Sequence, residues 1–449
     1  MDNVQDQLNS FLEAHPDIEI FEVILPDIAG GLRGKWVTRD KIHKVFSGGL
    51  KLPTSALAFD VWGRDVEAFV FDSGDGDGIC QADIRTLVPV PWLQRPTGQV
   101  VISLNEVSGE PCSHDSRFML QGLMDRFKAL GLTPVVASEM EFHLFQSGDD
   151  ELGRPLHTQT DRLGGALASG QTYCIETMED MGDVMHDIRD ACTAQGLPVD
   201  TLIKESAPSQ YEINLYHCPD ALMAADQAVM LQRVIRGVAK KHGLRATFMA
   251  KPFGDIAGNG MHVHCSVLDN DGNNAFDNGD DEGTPLLRHA IAGCLATMEE
   301  SMLLFAPNLN SYRRFQRGTH APLAPAWGYE NRTVAVRVPA DAPVATRIEH
   351  RVSGADANPY LAIAAILAGM LHGIENKLEA PAPLVGNAYD QVAPSLPRYW
   401  QDALARFSDS TFIRDNFGAE FQRIYTLLKK QEQDEFDRHV TLLEYDACL

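Results

Sequence analysis

Residues 134–145, PVVASEMEFHLF, decide the fold. Alternate side chains of a β-strand point to the same face, so Glu139 and Glu141 share one face of a predicted strand. Met140 and Phe142 share the opposite, apolar face. Two like charges side by side repel each other unless a cation lies between them. The pair therefore indicates either a cation site or the exposed polar face of an edge strand.

Two further segments carry groups of the same chemistry. Residues 204–212, KESAPSQYE, contain a proline that disfavours a helix, so Glu205 and Glu212 are predicted on a loop that enters a strand. Residues 258–266, GNGMHVHCS, place His262 and His264 on one strand face after a glycine-rich turn. Such histidines are either ligands or packed core residues.

Arginines cluster in one region of an otherwise acidic chain. Arg347, Glu349 and Arg351 share a strand face at a spacing of two residues. Arginine binds phosphate and carboxylate groups with two parallel hydrogen bonds. The cluster indicates either anion binding or ion pairing at the surface. Its other members are Arg313, Arg314, Arg332 and Arg337.

Taken together, five glutamates and one histidine match the ligand preferences of Mg²⁺ or Mn²⁺ and fit zinc poorly. Two divalent ions with several arginines form an electrostatic clamp for phosphoryl transfer. The chain has no Walker A loop, because Trp36 follows Gly34 and Lys35, and Ala29 stands where the first glycine belongs. ATP, if used, is held by metals and arginines.

Chain length, net charge, cysteine content and the apolar segments restrict the class of protein. The 449 residues exceed one ordinary core and predict two unequal domains. A net charge of −24 argues against a nucleic-acid partner. Eight cysteines without a CxxC pair favour reduced thiols in the cytoplasm. The N-terminus has no signal-peptide pattern, and the apolar residues 359–371 are too few to cross a membrane.

Periodicity predicts a small β-rich module in the first hundred residues, with a boundary in the proline-rich residues 88–96. Mixed helices and strands follow. Strands are predicted at 18–24, 66–71, 134–145, 211–216, 261–267, 333–338 and 346–352. Helices are predicted at 116–130, 179–195, 219–241, 284–304, 358–376 and 415–438.

The ordered motifs ExE, ExAPxQxE, NGMHxH, NSYRR, ENRTxxxR, RIExR and ANPY, from about residue 135 to 360, resemble those of bacterial-type glutamine synthetases. The resemblance implies an α+β fold. It consists of an N-terminal β-grasp domain, residues 1–105, and a large α/β catalytic domain, residues 106–449. It also implies a homo-oligomer, a dodecamer of two hexameric rings, in which a neighbouring N-terminal module completes each active site.

The resemblance also implies a role for each site residue. Glu141, Glu205 and Glu212 resemble the ligands of one metal, and Glu139, His262 and Glu349 those of the metal that bridges the ATP phosphates. The remaining roles concern substrates. Arg314, Arg351 and the Gly258 backbone resemble glutamate contacts, Arg332 and Arg337 the clamp on the γ-phosphate, and Ser266 and Arg347 nucleotide contacts.

The implied reaction has two steps. The γ-carboxylate of glutamate attacks the γ-phosphate of ATP, giving γ-glutamyl phosphate and ADP, and an amine then displaces phosphate. Metals and arginines neutralise charge in the first step, and a closed, dry site protects the acyl phosphate from water.

The sequence departs from the ammonia-using pattern at two acidic positions. Residues 52–56, LPTSA, replace an Asp-Gly-Ser-Ser element, and His320 replaces a flap glutamate. The sequence resembles the γ-glutamylpolyamine and γ-glutamylalkylamide synthetase branch. The features that carry this resemblance are the 52–56 element, Tyr173 after residues 170–172 (GQT) and the segment 327–331 (WGYEN). His320 is a candidate base for the amine, with Glu212 as its rival. Ser209 and Ala257 are smaller departures on the glutamate side.

Three functions remain open at this point. The first is a γ-glutamyl–amine ligase that uses putrescine, another polyamine or a small alkylamine. The second is a glutamine synthetase that uses ammonia. The third is a non-catalytic, nitrogen-sensing paralogue, which the complete set of six metal ligands disfavours. The sequence does not specify the amine, nor does it distinguish Mg²⁺ from Mn²⁺.

Overall fold

The computed structural model describes residues 2–160, 165–166, 172–280 and 282–449. Its N-terminal part is a mixed sheet with short helices. The strands are β1 (Ile20–Pro26), β2 (Leu32–Thr38), β3 (Lys51–Pro53), β4 (Asp77–Ala82), β5 (Val88–Pro89) and β6 (Thr97–Asn105). The helices are α1 (Asp2–Ala14), α2 (Ile42–Val45) and α3 (Glu67–Ser73).

The first sheet has the order β2-β1-β6-β4-β3, with β5 also on β6. The β1–β6 pair is parallel and the other pairs are antiparallel. Phe21, Val23 and Leu25 alternate along β1 and are buried against Val100 and Ile102 of β6. Because β6 ends at Asn105, this sheet runs past the proline-rich residues 88–96. The β-grasp assignment stays a prediction.

The remaining elements form the larger part of the chain. Its helices are α4 (Ser116–Ala129), α5 (Ile175–Glu179), α6 (Gly182–Ala194), α7 (Ala221–Lys241), α8 (Pro285–Phe305), α9 (Pro359–Asn376), α10 (Ala388–Gln391), α11 (Trp400–Asp409), α12 (Thr411–Phe417), α13 (Ala419–Arg438) and α14 (Leu442–Cys448). Its strands are β7 (Thr133–Asp149), β8 (Pro155–His157), β9 (Gln159–Thr160), β10 (Gly165–Ala166), β11 (Val199–Lys204), β12 (Gln210–Leu215), β13 (Leu244–Thr247), β14 (Met261–Leu268), β15 (Trp327–Tyr329), β16 (Val336–Val338) and β17 (Ile348–His350).

The second sheet has the order β11-β12-β7-β14-β17-β16-β15, and β8 and β13 pair with the long strand β7. One face of β7 is apolar, as predicted, and buries Met140 and Phe142 in the main core with residues of α7, α8 and α9. The opposite face carries Glu139 and Glu141. The mixture of one helix-covered sheet and a separate small sheet confirms the α+β class.

Helix α9 explains the longest apolar run of the sequence. It packs on α8 so closely that a Cβ at Gly293 would lie 2.0 Å from the Gly369 carbonyl oxygen. The Asn358 side chain accepts hydrogen bonds from the Tyr360 and Leu361 backbone amides and caps the helix. Its amide nitrogen donates to the Asp27 carbonyl oxygen at 3.0 Å, which joins α9 to the first sheet. Among the described residues, no helix has the length and apolarity that a membrane span needs.

Two predicted elements are wrong. Residues 66–71 were predicted as a strand, but α3 covers residues 67–73 because Val66 and Phe69, three residues apart, both enter the core. Residues 415–438 were predicted as one helix, but Gly418, at φ 89°, separates α12 from α13. A run of four or five apolar residues fits both periodicities, so only tertiary packing distinguishes them.

Candidate active site

Strand register brings the predicted site residues together on one face of the second sheet. Five segments contribute, and neighbouring strands place their charged residues opposite one another. The opposed pairs are Glu139 with His262, Glu141 with Glu212, His264 with Glu349, and Arg337 with Glu349. Motifs far apart in the chain therefore meet across adjacent strands, and β14 lies between the strands of Glu139 and Glu349.

These residues line a cleft of about 790 Å³. The predicted residues at its wall are Glu139, Glu141, Tyr173, Glu205, Glu212, Gly258, His262, Arg314, His320, Arg332, Arg337 and Arg351. Glu349 lies behind that wall and is 1% exposed. Ser266 lies further along β14, and Arg347 donates to His264 Nδ1 at 3.2 Å. Neither of these two residues contributes to the cleft wall.

Glu139 is the centre of the charged face. His262 Nδ1 lies 3.1 Å from its Oε2, and His264 Nε2 lies 2.8 Å from its Oε1. Burial favours the protonated carboxyl, but the hydrogen bonds from both histidines hold the pKa of Glu139 well below its usual range. Glu139 belongs to two groups of three side chains whose ligand atoms lie within 4.8 Å of one another. The groups are Glu139, His264 and Glu349, and Glu139, Glu212 and His262.

Three other carboxyl groups of the cleft are buried close to one another. Burial and the nearby charge of Glu205 raise the pKa of Glu141 to about 8. Burial and the charge of Glu141 raise the pKa of Glu212 to about 9. Burial also raises the pKa of Glu205. The fold therefore collects oxygen ligands whose ionised forms need a cation, which matches the chemistry of a hard divalent metal.

The arginines at the other side of the cleft are held in fixed orientations. Glu349 Oε2 accepts from Arg337 Nη1 at 2.7 Å, and its Oε1 accepts from Arg351 Nη1. Burial alone would raise the pKa of Glu349, but the Arg351 charge lowers it to about 2. Arg314 donates to the Val352 carbonyl oxygen at 2.8 Å. The buried Nε atoms of Arg337 and Arg351 have no hydrogen-bond partner among the described residues, so each guanidinium keeps an unused donor.

Two non-glycine residues at the mouth of the cleft have left-handed backbone. Tyr173 has φ 60° and His320 has φ 57°. Tyr173 is fixed by its amide, which donates to the Lys204 carbonyl oxygen at 2.9 Å, while its side chain is 63% exposed. Burial lowers the pKa of His320, so its ring is neutral near pH 7. Residues 170 and 171 of the predicted GQT segment lie outside the described residues.

Several residues around this cleft were not predicted as site residues from the sequence. Glu330 accepts from Arg337 Nη2 at 2.9 Å, and Asn214 lies at the cleft wall beside Glu139. His143 and Asn259 form a buried hydrogen bond behind Gly258. One signal was available, because His143 continues the two-residue spacing of Glu139 and Glu141. The other contacts depend on loops whose course the spacing does not reveal.

Comparison with known proteins places this arrangement in context. Residues 113–448 match the family model for the glutamine synthetase catalytic domain. The γ-glutamylputrescine synthetase PuuA of Escherichia coli strain K12 is 37% identical over 453 residues, which cover 99% of this chain and 94% of that protein. A glutamate–isopropylamine ligase of a Pseudomonas species is 34% identical over 95% of this chain and 94% of its own length.

A solved structure extends the likeness to the whole fold. The chain in the GmaS/ADP complex matches with a TM-score of 0.84 at 25% sequence identity, and the match covers 98% of both chains. The N-terminal sheet, which lies outside the residues of the family model, is therefore included in the structural match.

Proposed function

Because the chain belongs to the glutamine synthetase family, we propose that it is an ATP-dependent carbon–nitrogen ligase that joins the γ-carboxylate of glutamate to an amine. The observation that carries the proposal is the cleft itself. Four glutamates on one side face Arg314, Arg332, Arg337 and Arg351 within the same 790 Å³. A cleft with paired metal ligands and oriented guanidinium groups suits phosphoryl transfer to a carboxylate.

The residues present fit two divalent ions, Mg²⁺ or Mn²⁺. Glu141, Glu205 and Glu212 would hold the ion nearer the glutamate. Glu139, His262 and Glu349 would hold the second ion, with His264 close enough to share in its binding. When bound, the ions would neutralise phosphate charge and bring ATP and the glutamate carboxylate together.

The arginines of the chain act on the first step. Arg314 and Arg351 would hold the α-carboxylate of glutamate, with a backbone contact from Gly258. Arg332 and Arg337 would hold the γ-phosphate, and Ser266 and Arg347 the nucleotide. A γ-carboxylate oxygen attacks the γ-phosphorus as the bond to ADP breaks. Glu349 and Glu330 hold the Arg337 guanidinium at the cleft wall, where its charge would stabilise the phosphoryl group as it moves.

The second step needs an amine that has lost its proton. The amine nitrogen attacks the γ-carbonyl carbon, and phosphate leaves. His320, which is neutral near pH 7, is the proposed acceptor of the amine proton, with Glu212 as the alternative. Tyr173 adds an aromatic surface at the cleft mouth, where alkyl carbon gains about 0.8 kcal/mol per buried methylene. Two relatives are named for putrescine and isopropylamine, which supports a substrate amine larger than ammonia.

We further propose that residues 1–105 form the N-terminal domain and residues 106–449 the catalytic domain. The chain is also proposed to assemble as a dodecamer of two hexameric rings. In that assembly, the N-terminal domain of one subunit would meet the cleft of its neighbour, although Leu52, Thr54, Ser55 and Ala56 of the predicted 52–56 element are buried in their own subunit. Mass measurement of the native protein in solution tests the number of subunits, and a dimer or monomer at working concentration contradicts the dodecamer.

ADP release with glutamate and ATP fixed tests the amine assignment. Ammonium, methylamine, ethanolamine, putrescine and spermidine are compared. We expect kcat/KM for the best primary amine to exceed that for ammonium by at least about tenfold, which corresponds to about 1.4 kcal/mol. His320→Glu should shift this ratio toward ammonium, whereas the uncharged control His320→Gln should not. A wild-type preference for ammonium over every amine would instead identify a glutamine synthetase.

A further inference from the structure

A histidine outside the predicted site lies directly behind it. His143 follows Glu141 by two residues on β7 and is fully buried, at 0% exposure. Its cross-strand neighbour on β12 is Gln210. Both side chains reach the same atom, because the Asn259 Oδ1 lies 2.9 Å from His143 Nδ1 and 3.3 Å from Gln210 Nε2. Two adjacent strands therefore hold one amide group of the loop before β14.

The direction of this hydrogen bond follows from the other contacts of the amide. Asn259 Nδ2 donates to the Met249 carbonyl oxygen at 2.9 Å, so its Oδ1 must be the atom that faces His143. An amide oxygen only accepts hydrogen bonds, and His143 Nδ1 therefore carries the proton. The other ring nitrogen of His143 is buried with no partner among the described residues. The ring thus serves as a single, directed donor to Asn259.

Asn259 is the central residue of a turn that faces the cleft. Its backbone amide donates to the Ala250 carbonyl oxygen at 2.8 Å, and its carbonyl oxygen accepts from Ala355 at 3.1 Å. On one side, Gly258 accepts from Gln210 Nε2 at 2.8 Å. On the other side, the Gly260 amide donates to Glu141 Oε2 at 2.7 Å. A change at Asn259 is therefore transmitted to the Gly258 carbonyl and the Glu141 carboxylate together.

We infer that His143 is a positioning residue for the glutamate half of the active site, acting through Asn259 on the turn from Gly258 to Gly260. The inference rests on the proposed ligase function. The proposed nucleotide contacts have no hydrogen bond to Asn259 among the described residues, because Ser266 lies further along β14 and Arg347 donates to His264 Nδ1, to Asp341 and to the Ala345 carbonyl oxygen. Loss of the His143 hydrogen bond should therefore affect glutamate and leave ATP nearly unaffected.

His143→Phe tests the inference, because it keeps a ring of similar size and removes the donor. We expect the KM for glutamate to rise about five- to tenfold, the equivalent of one buried hydrogen bond, while the KM for ATP stays within about twofold. His143→Asn should restore much of the glutamate affinity, because its Nδ2 branches from the same carbon as the lost Nδ1. A purely structural role predicts no such rescue.

Phe145→Leu is the matched control, because Phe145 stacks on His143 at 5.5 Å and is buried without joining the hydrogen bonds. It should lower the melting temperature and leave the KM for glutamate unchanged. An unchanged KM in His143→Phe, or an equal rise in both control and variant, overturns the inference. If His143→Phe does not fold, Asn259→Ser removes that bond together with the contacts to Gln210 and Met249, and should raise the KM for glutamate by at least as much. A wild-type enzyme inactive with every amine would instead refute the proposed function, and the inference with it.

Discussion

The molecule contains two buried clusters of charge that follow opposite rules. One joins the N-terminal sheet to helices α4, α7 and α9. There Arg117 donates to Asp226 at 2.9 and 2.7 Å, to Ser103 at 2.9 Å and to Asp83 at 3.0 Å, and Tyr360 donates to Asp226 at 2.6 Å. The other cluster is the carboxylate group of the cleft. Its carboxyl groups have raised pKa values because they are buried and lie beside one another.

The contrast distinguishes a structural use of charge from a functional one. In the Arg117 cluster each charge finds an opposite charge within the chain, so its burial is balanced by the fold itself. In the cleft the carboxylate charges are balanced only when a cation binds. Without it, the carboxyl groups repel one another when they ionise. Carboxyl groups with shifted pKa values that line an open cleft therefore indicate the site where substrates and ions bind.

The largest expected effect concerns the unpaired cluster. Glu212→Ala should lower ADP release by about a thousandfold or more, because a metal loses a charged ligand. Glu212→Gln should be as inactive, yet near pH 7 the metal-free form should melt at a higher temperature than wild type. The Glu212 carboxyl stays protonated in the fold and ionises on unfolding, which favours the unfolded state, whereas the amide of the variant stays neutral in both states. Activity and melting curves together check this.

Glu375→Gln serves as the control for the loss of a carboxylate, since Glu375 pairs with Arg126 outside the cleft. It should keep wild-type activity. Near-wild-type turnover in Glu212→Ala would contradict the assignment of this residue as a metal ligand and of the cleft as the active site.

The paired cluster should respond in the opposite sense. Arg117→Met leaves Asp226 buried without its cation, while Asp83 keeps its pair with Arg85, and should destabilise the protein by about 3–5 kcal/mol. At temperatures where the variant is folded, its KM values should equal those of wild type. Arg154→Met, which breaks an exposed pair with Asp150, should leave the melting temperature nearly unchanged. Equal losses of stability in the two variants would contradict the structural role of the buried Arg117 cluster.

The smallest expected effect is a pH dependence of the metal-free protein. Glu141 and Glu212 have folded pKa values of about 8 and about 9, above their usual 4.5. The native state therefore keeps protons that the unfolded state releases. Their stabilisation is complete below pH 4.5 and is lost as the pH rises towards 9.

The measurement is the melting temperature of wild type minus that of Glu212→Gln, without metal, from about pH 5.5 to 8.5. The difference should become more negative as pH rises, and added Mg²⁺ or Mn²⁺ should reduce the slope. A difference independent of pH would show that the carboxyl groups do not repel in the native state.

Much of this site was predictable because strand geometry is simple. The two-residue spacing of Glu139 and Glu141, and of His262 and His264, fixes which side chains share a face. Four sequence motifs then converge once the strands pair. The predicted helices at 219–241, 284–304 and 358–376 correspond closely to α7, α8 and α9, whose apolar periodicity is long.

Two kinds of contact could not be predicted from the sequence: those made by loop residues, and those in which one side chain contacts several site residues. The division of metal ligands placed His262 with Glu139 and Glu349, but the structure also brings His264 to both carboxylates. Glu330 reaches Arg337 only because its backbone adopts φ 48°. Such contacts depend on turn conformation, which residue spacing does not encode. The same limit applies to α3, where six residues fit either periodicity.

The cap of α9 has a thermodynamic consequence. One amide group, that of Asn358, both starts α9 and holds the Asp27 carbonyl directly after β1 of the first sheet. Melting of the first sheet removes a partner from the residue on which the helix start depends, and fraying of the helix releases the sheet. Calorimetry of the intact chain should accordingly record a single endotherm for both sheets, with Asn358→Ala separating it into two.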